Sequence, residues 1–488
     1  MAEQTNLQGN SVLANKMNLK EVSLIPHTGD ATIDLRPNIM ELSIYEDIFS
    51  HFLKATIVYV DAAGLIETAP IIGEEFVIIS LQTSGKSGYC ETSEFTFFCH
   101  SIEKRERLED RSEAYVLNLI SPEAMINSKV ESVRAHIGKA IKDIVFEEYK
   151  EHFYNNNWTW GRNSQIQFLG EKIYRPTFYT APTDGLHNFI APKCSPFEFI
   201  NYLSTQAYSS EYPESDFIFY RDSFGYNFVT LSQLYSKDAK ESYFYVNPNI
   251  EPTGNEENDV KKHQIIYNFG FKTLPNHFNR MYSGAYSNDA FTLNLVSKEF
   301  KEQSFNYYDE YYRGSSSMTN LGQQSLMSKF SVNKNFAENF NDASTLERFF
   351  ITDSSRTDFD YLANRKDDPQ IDYPNLKERF ITKRTSKMGQ LKNGNRLWLS
   401  VSGDNELKVG DIINVFIPQN AVYEKLMRKY NLLFTNNEQA KFMITALVHN
   451  YNKVDDEFVT RIECVKDAYE TPFERVEKYF RDNEETWT

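Results

Sequence analysis

Cysteine is scarce in this chain. There are four in 488 residues, at Cys90, Cys99, Cys194 and Cys464, none in C-x-x-C spacing. That excludes a disulfide scaffold and a thiolate zinc site, and reduced, mostly buried thiols are the expectation. No run of about twenty apolar residues occurs, so no membrane-spanning segment is predicted. No cationic start leads into an apolar stretch, and the product is expected to be soluble and made in a cytoplasm. H-E-x-x-H, G-x-S-x-G and G-x-G-x-x-G are missing, and the nine histidines never stand near paired cysteines. No catalytic, cofactor-binding or metal residue is therefore assigned. Gly85-Lys86-Ser87 imitates the end of a phosphate loop, but Ser80 stands where the first glycine belongs and strands flank it, which makes it a hairpin tip. Paired Asp and Glu residues abound, and by sequence they cannot be told from solvated acids. Asn157-Trp158-Thr159 fits the glycosylation acceptor pattern, with no secretion signal beside it. Positive charge is short as well: 52 Lys and Arg against 68 Asp and Glu give a net charge of −16. A basic, phosphate-gripping face is excluded, whereas a surface past which DNA slides is not.

Aromatics, by contrast, are plentiful, with 37 Phe and 30 Tyr. They suit either amphipathic interface area or strand and core packing. A repeat also stands out. Pro70–Leu81 (PIIGEEFVIISL) and Leu407–Pro418 (LKVGDIINVFIP) each run from apolar residues through a Gly-acid pair into alternation. Gly73-Glu74 and Gly410-Asp411 are the predicted tight entries to two strands. Downstream, Phe95–Ser121 and Lys441–Lys466 both read as strand, charged turn and returning strand. With one small gap, His100, Lys104, Asp110, Val116 and Leu119 fall opposite His449, Lys453, Asp456, Val459 and Ile462. A diverged duplication of one β-domain explains this, and chance similarity between hairpins is the competing explanation. Both histidines are expected where a strand runs into a turn.

A chain of this length predicts two to four domains. Residues 1–18 read as a flexible arm. Ile39–Ile44, Ala55–Val60, Glu75–Leu81 and Phe95–Ser121 supply a first antiparallel β-barrel over 19–121, with Tyr45–Phe52 as a crossing segment. Residues 122–258 read as a mixed α/β domain. Its Ser132–Phe153 helix uses Val133, Ile137, Ile141, Ile144 and Val145 as one face. Ser195-Pro196-Phe197-Glu198 is a helix-start signal, and Asp216–Tyr220 with Tyr226–Leu231 form a hairpin. Glu251–Asn258 is an acidic linker. Residues 259–306 are expected to begin a second barrel, including a short His277–Ala285 helix. A loop-rich insertion over 307–372 interrupts it, with a helical turn at Leu346–Phe350. The remainder, 373–470, opens with a basic helix, Leu376–Leu391, whose apolar side is Leu376, Phe380, Ile381, Met388 and Leu391. The acidic tail 471–488 is either a docking segment or a frayed helix. The expected class is α+β and β-rich, with two similar antiparallel β-barrels plus α/β domains.

Four stretches, Glu41–Leu81, Ser195–Leu234, Leu397–Pro418 and Phe442–Tyr469, resemble in order and texture a known family. It is the central baseplate hub proteins of contractile-tailed, T-even-like bacteriophages, related to the hub-like part of type VI secretion spike proteins. The resemblance covers most of the chain and is weakest over Arg313–Asp372. It implies a structural virion protein of the tail baseplate, assembled in the host cytoplasm as a ring-shaped homotrimer. Two β-barrel tube domains per subunit would give a pseudo-sixfold ring. The ring would adapt a threefold central spike protein to a sixfold tail tube or tube-initiator protein, beside other baseplate proteins. DNA would pass through the lumen during ejection without specific binding. Gly73, Glu74, Gly410 and Asp411 would then be structural turns in the channel wall. No lysozyme-like segment is visible, so a wall-cutting enzyme would be a separate polypeptide. Two other classes compete: a polysaccharide- or cell-wall-degrading tail enzyme, and a receptor-binding tail protein.

Overall fold

The computed structural model describes residues 17–26, 32–68, 71–84, 90–109, 112–154, 176–209, 211, 216–245, 262–273, 279, 282–295, 298–306, 346–352, 376–417 and 441–466. Expectations for the N-terminal arm before Met17, the hairpin tip at Gly85, the glycosylation pattern, the linker and the acidic tail lie outside them, as does most of the insertion.

Seven strands come first: β1 (Met17–Ile25), β2 (Ile33–Asp34), β3 (Ile39–Asp47), β4 (Lys54–Asp61), β5 (Phe76–Ser84), β6 (Cys90–Glu109) and β7 (Ser112–Ile120). In β4 the alternation is visible directly, since Ala55, Ile57 and Tyr59 are buried between half-buried neighbours. The strands lie in the order β3-β4-β7-β6-β5-β1-β2, every pair antiparallel. Val22, Ile44, Ile57, Ile79, Phe97 and Leu117, one from each of the six longer strands, meet in a single core, so the sheet curls around it. β3 extends to Asp47, so the expected crossing segment shrinks to the turn before β4.

The next section is mixed, with β8 (Ala135–Lys139), β9 (Thr177–Thr180), β10 (His187–Ile190), β11 (Phe217–Arg221), β12 (Gly225–Thr230) and β13 (Ala239–Tyr245). The predicted long helix divides. Residues before Ala140 form β8, and the helix spans Ile141–Tyr149. Val133 is 70% exposed and Ile137 75%, so the helical spacing they share with Ile141 is coincidental. At Pro196–Ser204 the predicted cap is present: the Ser195 hydroxyl accepts from Glu198 N–H, and Glu198 reaches back to Ser195 N–H. Aromatics fill this core. The β3–β4 turn inserts into it, His51 stacking on Phe219 at 5.1 Å and Phe52 lying 5.4 Å from Phe197.

β14 (Ile265–Thr273), β15 (Ser287–Asn294), β16 (Glu299–Asn306), β17 (Glu347–Thr352), β18 (Asn395–Ser402), β19 (Ile412–Phe416), β20 (Lys441–Asn452) and β21 (Glu457–Lys466) complete the strands. A six-stranded barrel runs β19-β13-β14-β18-β21-β20 and closes by pairing β19 with β20. Its membership differs from expectation at both ends. β13, placed by sequence in the α/β domain, is a barrel stave. β15 and β16, placed in the barrel, form a separate three-stranded sheet with β17. β17 also replaces the expected helical turn, because Arg348–Thr352 pair in parallel with β15 and the sheet ladder decides its conformation.

The helix Leu376–Asn393 leads into β18 and is anchored by charge. Lys387, 2% exposed, sets its Nζ 2.8 Å from Asp216 Oδ2, which also accepts from the Ser232 backbone N–H and hydroxyl. Arg384 donates to the carbonyls of Phe217 and Ser204. Burial pushes the Asp216 carboxyl up to about 6 even though the Ser232 bonds oppose it. Breaking such a pair from one side strands a buried charge. Lys387→Met is therefore expected to cost about 3–5 kcal/mol, and adding Asp216→Asn should recover part of it, measured by chemical denaturation of the full chain.

Candidate assembly interface

Two sheets in this chain share one topology. In chain order, strands β3, β4, β5, β6 and β7 correspond to β14, β18, β19, β20 and β21. Both sets lie first-second-fifth-fourth-third, with every neighbour antiparallel. Two irregularities match too, while two more in β6 and one in β14, at Lys272, have no counterpart. The first strand carries an extra residue at Met40 in one sheet, between Ile39 and Glu41, and at Tyr267 in the other, between Ile266 and Asn268. The fourth strand carries one at His100, between Cys99 and Ser101, and at Thr445, between Ile444 and Ala446. A β-bulge re-aims its strand and is retained as a designed feature, so two bulges at two matching positions argue for duplication over chance.

The ladders also correct the sequence pairing of the two copies. His100 answers Thr445, not His449, and Leu119 answers Cys464, not Ile462. Nor does either histidine mark a turn. His100 sits exposed at its bulge within β6. His449 lies mid-strand in β20, its Nδ1 3.2 Å from Thr460 Oγ1, and burial drives its pKa down to about 4.

The sixth strand breaks the likeness. β1 runs antiparallel to β5, whereas β13 runs parallel to β19. Among the described residues only the second set closes, through β19 and β20.

Gly73 and Gly410 both take left-handed backbone, with φ of 91° and 83°. The acids beside them are not matched as the sequence suggested. Counting from the strands, Glu75 answers Asp411: Cys99 N–H donates to Glu75 O at 2.8 Å, and Ile444 N–H to Asp411 O at 2.9 Å. Glu75 is the carboxylate that holds its turn, accepting from the N–H groups of Ile72, Gly73 and Glu74. Glu74 makes no such contribution, and the adjacent pair of glutamates hid which one turns inward. Asp411 instead receives Lys240 at 3.2 Å and Lys237 at 3.8 Å.

The two sheets are fused by a seven-residue antiparallel ladder, Ala446–Asn452 of β20 against Glu41–Asp47 of β3. The result is one continuous 13-stranded sheet. Tyr451 and Phe458 of the second unit complete the core of the first. Behind the ladder, Glu46 is 2% exposed and accepts from Val409 N–H. Burial, with the nearby Asp222 charge, pushes its carboxyl up to about 8. Asp222 is paired with Lys408 at 3.5 Å. This cluster, drawn from both sheets and the α/β section, was not legible in sequence, since Glu46, Asp222 and Lys408 lie in three separate stretches.

One constellation has the composition of a catalytic triad. Ser132 Oγ donates to Glu148 Oε2 at 2.6 Å, and His136 Nε2 lies 2.8 Å from Oε1. The carboxylate stands between serine and histidine, so the imidazole is not hydrogen-bonded to the hydroxyl it would have to activate. All three are at most 1% exposed. Burial alone would raise Glu148, but bonds from His152, Ser132 and His136 hold it below the usual carboxylate range. It is a buried polar staple. Among the described residues no group of three or more His, Cys, Asp or Glu is arranged for a metal ion.

No family model and no curated protein matches. Solved structures similar to this chain are phage tail proteins and type VI secretion components. The tail protein from Neisseria meningitidis MC58 aligns over 92% of this chain and 99% of its own, at 9% identity and a TM-score of 0.49. The 43 kDa tail protein of prophage MuSo2 from Shewanella oneidensis aligns over the same shares at 8% identity and 0.48. An E. coli type VI secretion component, described as similar to T4 bacteriophage tail proteins, aligns over 93% of this chain and 77% of its own at 9% identity and 0.39.

Two outcomes are expected. A Cβ at Gly410 would stand 2.6 Å from Tyr220 Oη, while at Gly73 the nearest atom is 3.4 Å away. Both Gly→Ala changes cost about 1 kcal/mol or more from backbone strain, and Gly410→Ala should lower the melting temperature further. Glu46 binds its proton more tightly folded than unfolded, so its contribution is fully present below about pH 4.5 and is lost as pH rises through about 8. Glu46→Gln should flatten that fall between roughly pH 5 and 8 in melting curves, with a melting temperature a few degrees above that of the unaltered chain at the alkaline end.

Proposed function

We propose that this chain is a structural subunit of a phage-type tail: a ring-forming hub at the centre of the baseplate. The observation that carries the reading is the doubled five-strand sheet joined head to tail through β20 and β3. A head-to-tail contact joins different faces of two similar units, and repetition of such a contact closes into a ring when the rotation allows. Three copies would present six similar sheets, which is what an adaptor between threefold and sixfold neighbours requires. The stretches that resemble baseplate hubs support it, since three of the four fall on the repeated strands. The partners proposed are a threefold central spike, a sixfold tail tube or tube initiator, and other baseplate proteins, in the tail of a virion. With a net charge of −16 per chain, an acidic lumen would repel passing DNA and let it slide. The chain is assigned no enzymatic role.

Native mass spectrometry of the full chain tests the ring. A species three times the 56.9 kDa subunit mass is expected. A stable monomer, with and without a spike partner, overturns the hub. A zymogram on bacterial envelope tests the enzymatic alternative, and clearing that disappears when one Asp or Glu is replaced would favour it instead.

A further inference from the structure

A cleft of about 350 Å³ opens where the α/β section meets the second barrel. Its floor is the face of β9 and β12 that carries Thr177, Tyr179 and Asn227, the last two side by side in the ladder. Alternation sends Phe178 and Phe228 the other way, into the aromatic core, their rings 4.4 Å from Tyr149 and 5.0 Å from Phe217. The short helix Leu231–Tyr235 borders the cleft, and the barrel contributes Lys408 from the stretch before β19.

The charged residues lining it are Asp222, Lys237 and Lys408, on a chain whose net charge is −16. Asp222 is 1% exposed, and its oxygens are taken. Oδ1 accepts from the N–H groups of Phe224 and Gly225, and Oδ2 accepts from Asn227 Nδ2. The lysines are less fully used. Lys408 Nζ stands 3.5 Å from Asp222 Oδ2 and 5.0 Å from the centre of the Phe224 ring. Lys237 Nζ stands 3.2 Å from Gly410 O and 3.8 Å from Asp411 Oδ1. An ammonium has three donors, and its charge-assisted bond to a carboxylate is about 2.7–2.9 Å long. Both heads therefore keep donors for an incoming anion. Burial holds the Lys237 ammonium below the usual lysine range; Asp411 opposes this and the Lys408 charge adds to it. An anion between the two lysines would relieve their repulsion.

The rest of the lining narrows the ligand. Tyr179 and Phe224 are 50% and 47% exposed and offer rings to an apolar group. Gln233 Nε2 fixes Tyr179 by donating to its Oη at 3.0 Å, while Gln233 Oε1 is buried with no hydrogen-bond donor on it among the described residues. A phosphate or sulfate would satisfy the lysines but bring neither an N–H for Gln233 nor apolar surface for the rings. A peptide with an acidic residue beside an apolar one brings all three.

We infer that this cleft binds an acidic segment of a neighbouring protein, a carboxylate side chain entering between Lys237 and Lys408 and an apolar neighbour lying against Tyr179 and Phe224. A tail subunit is surrounded by protein, so the choice of occupant rests on the proposed structural role, whereas the chemistry of the cleft does not.

Fluorescence anisotropy of the full chain with a fluorescein-labelled peptide, Gly-Phe-Asp-Phe-Glu-Phe-Gly, tests the site. Saturable binding is expected, weakened by salt and weakened about tenfold or more when both acids become amides. Lys237→Met and Lys408→Met keep the apolar stem and should each weaken binding about three- to tenfold, whereas Lys408→Arg should retain it. Because Lys408 also faces the buried Asp222, its loss can disturb the fold. Phe224→Ser, at a half-exposed ring, should lower affinity about threefold with the melting temperature unchanged. Absence of binding, equal binding of acid and amide peptides, or indifference to the lysine and Phe224 changes overturns the site. Displacement of the probe by inorganic phosphate at constant ionic strength overturns a peptide as the ligand. If a synthetic peptide of residues 471–488 displaces the probe better than unlabelled probe does, the cleft belongs to the chain's own tail and the neighbour is overturned as occupant. A native trimer that binds no acidic peptide overturns the cleft and leaves the hub intact, and a monomer that binds it does the reverse.

Discussion

The backbone ladder between β20 and β3 is the constraint on which the architecture depends. Its hydrogen-bonded pairs, every second one along the ladder, satisfy donors and acceptors that would otherwise line an open sheet edge. Because the ladder joins unlike edges of two similar sheets, it also fixes a rotation between them. The second unit's hairpin completes the first unit's core through Tyr451 and Phe458, so the rotation is held by packing as well as by hydrogen bonds. Glu46 lies against the back of the same junction, and its neutral carboxyl is the form the buried site accepts.

Local signals in the sequence were read accurately where the chain decides its own conformation. Ser195 and Glu198 cap a helix through bonds made within four residues. Long-range assignments fared differently. A strand repeats every two residues, so slips of two or four keep each side chain on its face and leave no trace in the pattern. That is why His449 looked like the partner of His100 when the ladder gives Thr445, and why Ile462 stood in for Cys464. Val133 and Ile137 matched a helical period, but the pairing of β8 with β10 settled their backbone. Lys387 reads as one more charge on a basic helix, and its buried partner Asp216 is far away in sequence. Nothing local announces such a pair.

The abundance of aromatics divides between two uses. Many fill the α/β core, where His51, Phe52, Phe197, Phe219 and Tyr226 pack ring against ring. Others stay at the surface, Phe271 and Trp398 among them, beside the edge of β14. Composition alone describes both groups equally well, and only the sheet topology separates them.

The reversed direction of the sixth strand has a mechanical consequence. A sheet closed on itself resists splaying because every stave is held on two sides, whereas a curled sheet with an unclosed seam flexes at that seam. Among the described residues the first sheet carries no closing ladder and the second does, so the proposed ring would alternate compliant and stiff segments around its circumference, even though its sheets are nearly alike. A partner pressing on one rim would meet three firm points and three yielding ones, and a threefold object would seat in three orientations instead of six. Strand polarity, settled when each chain folds, would thereby set the angular phase of everything stacked on the ring.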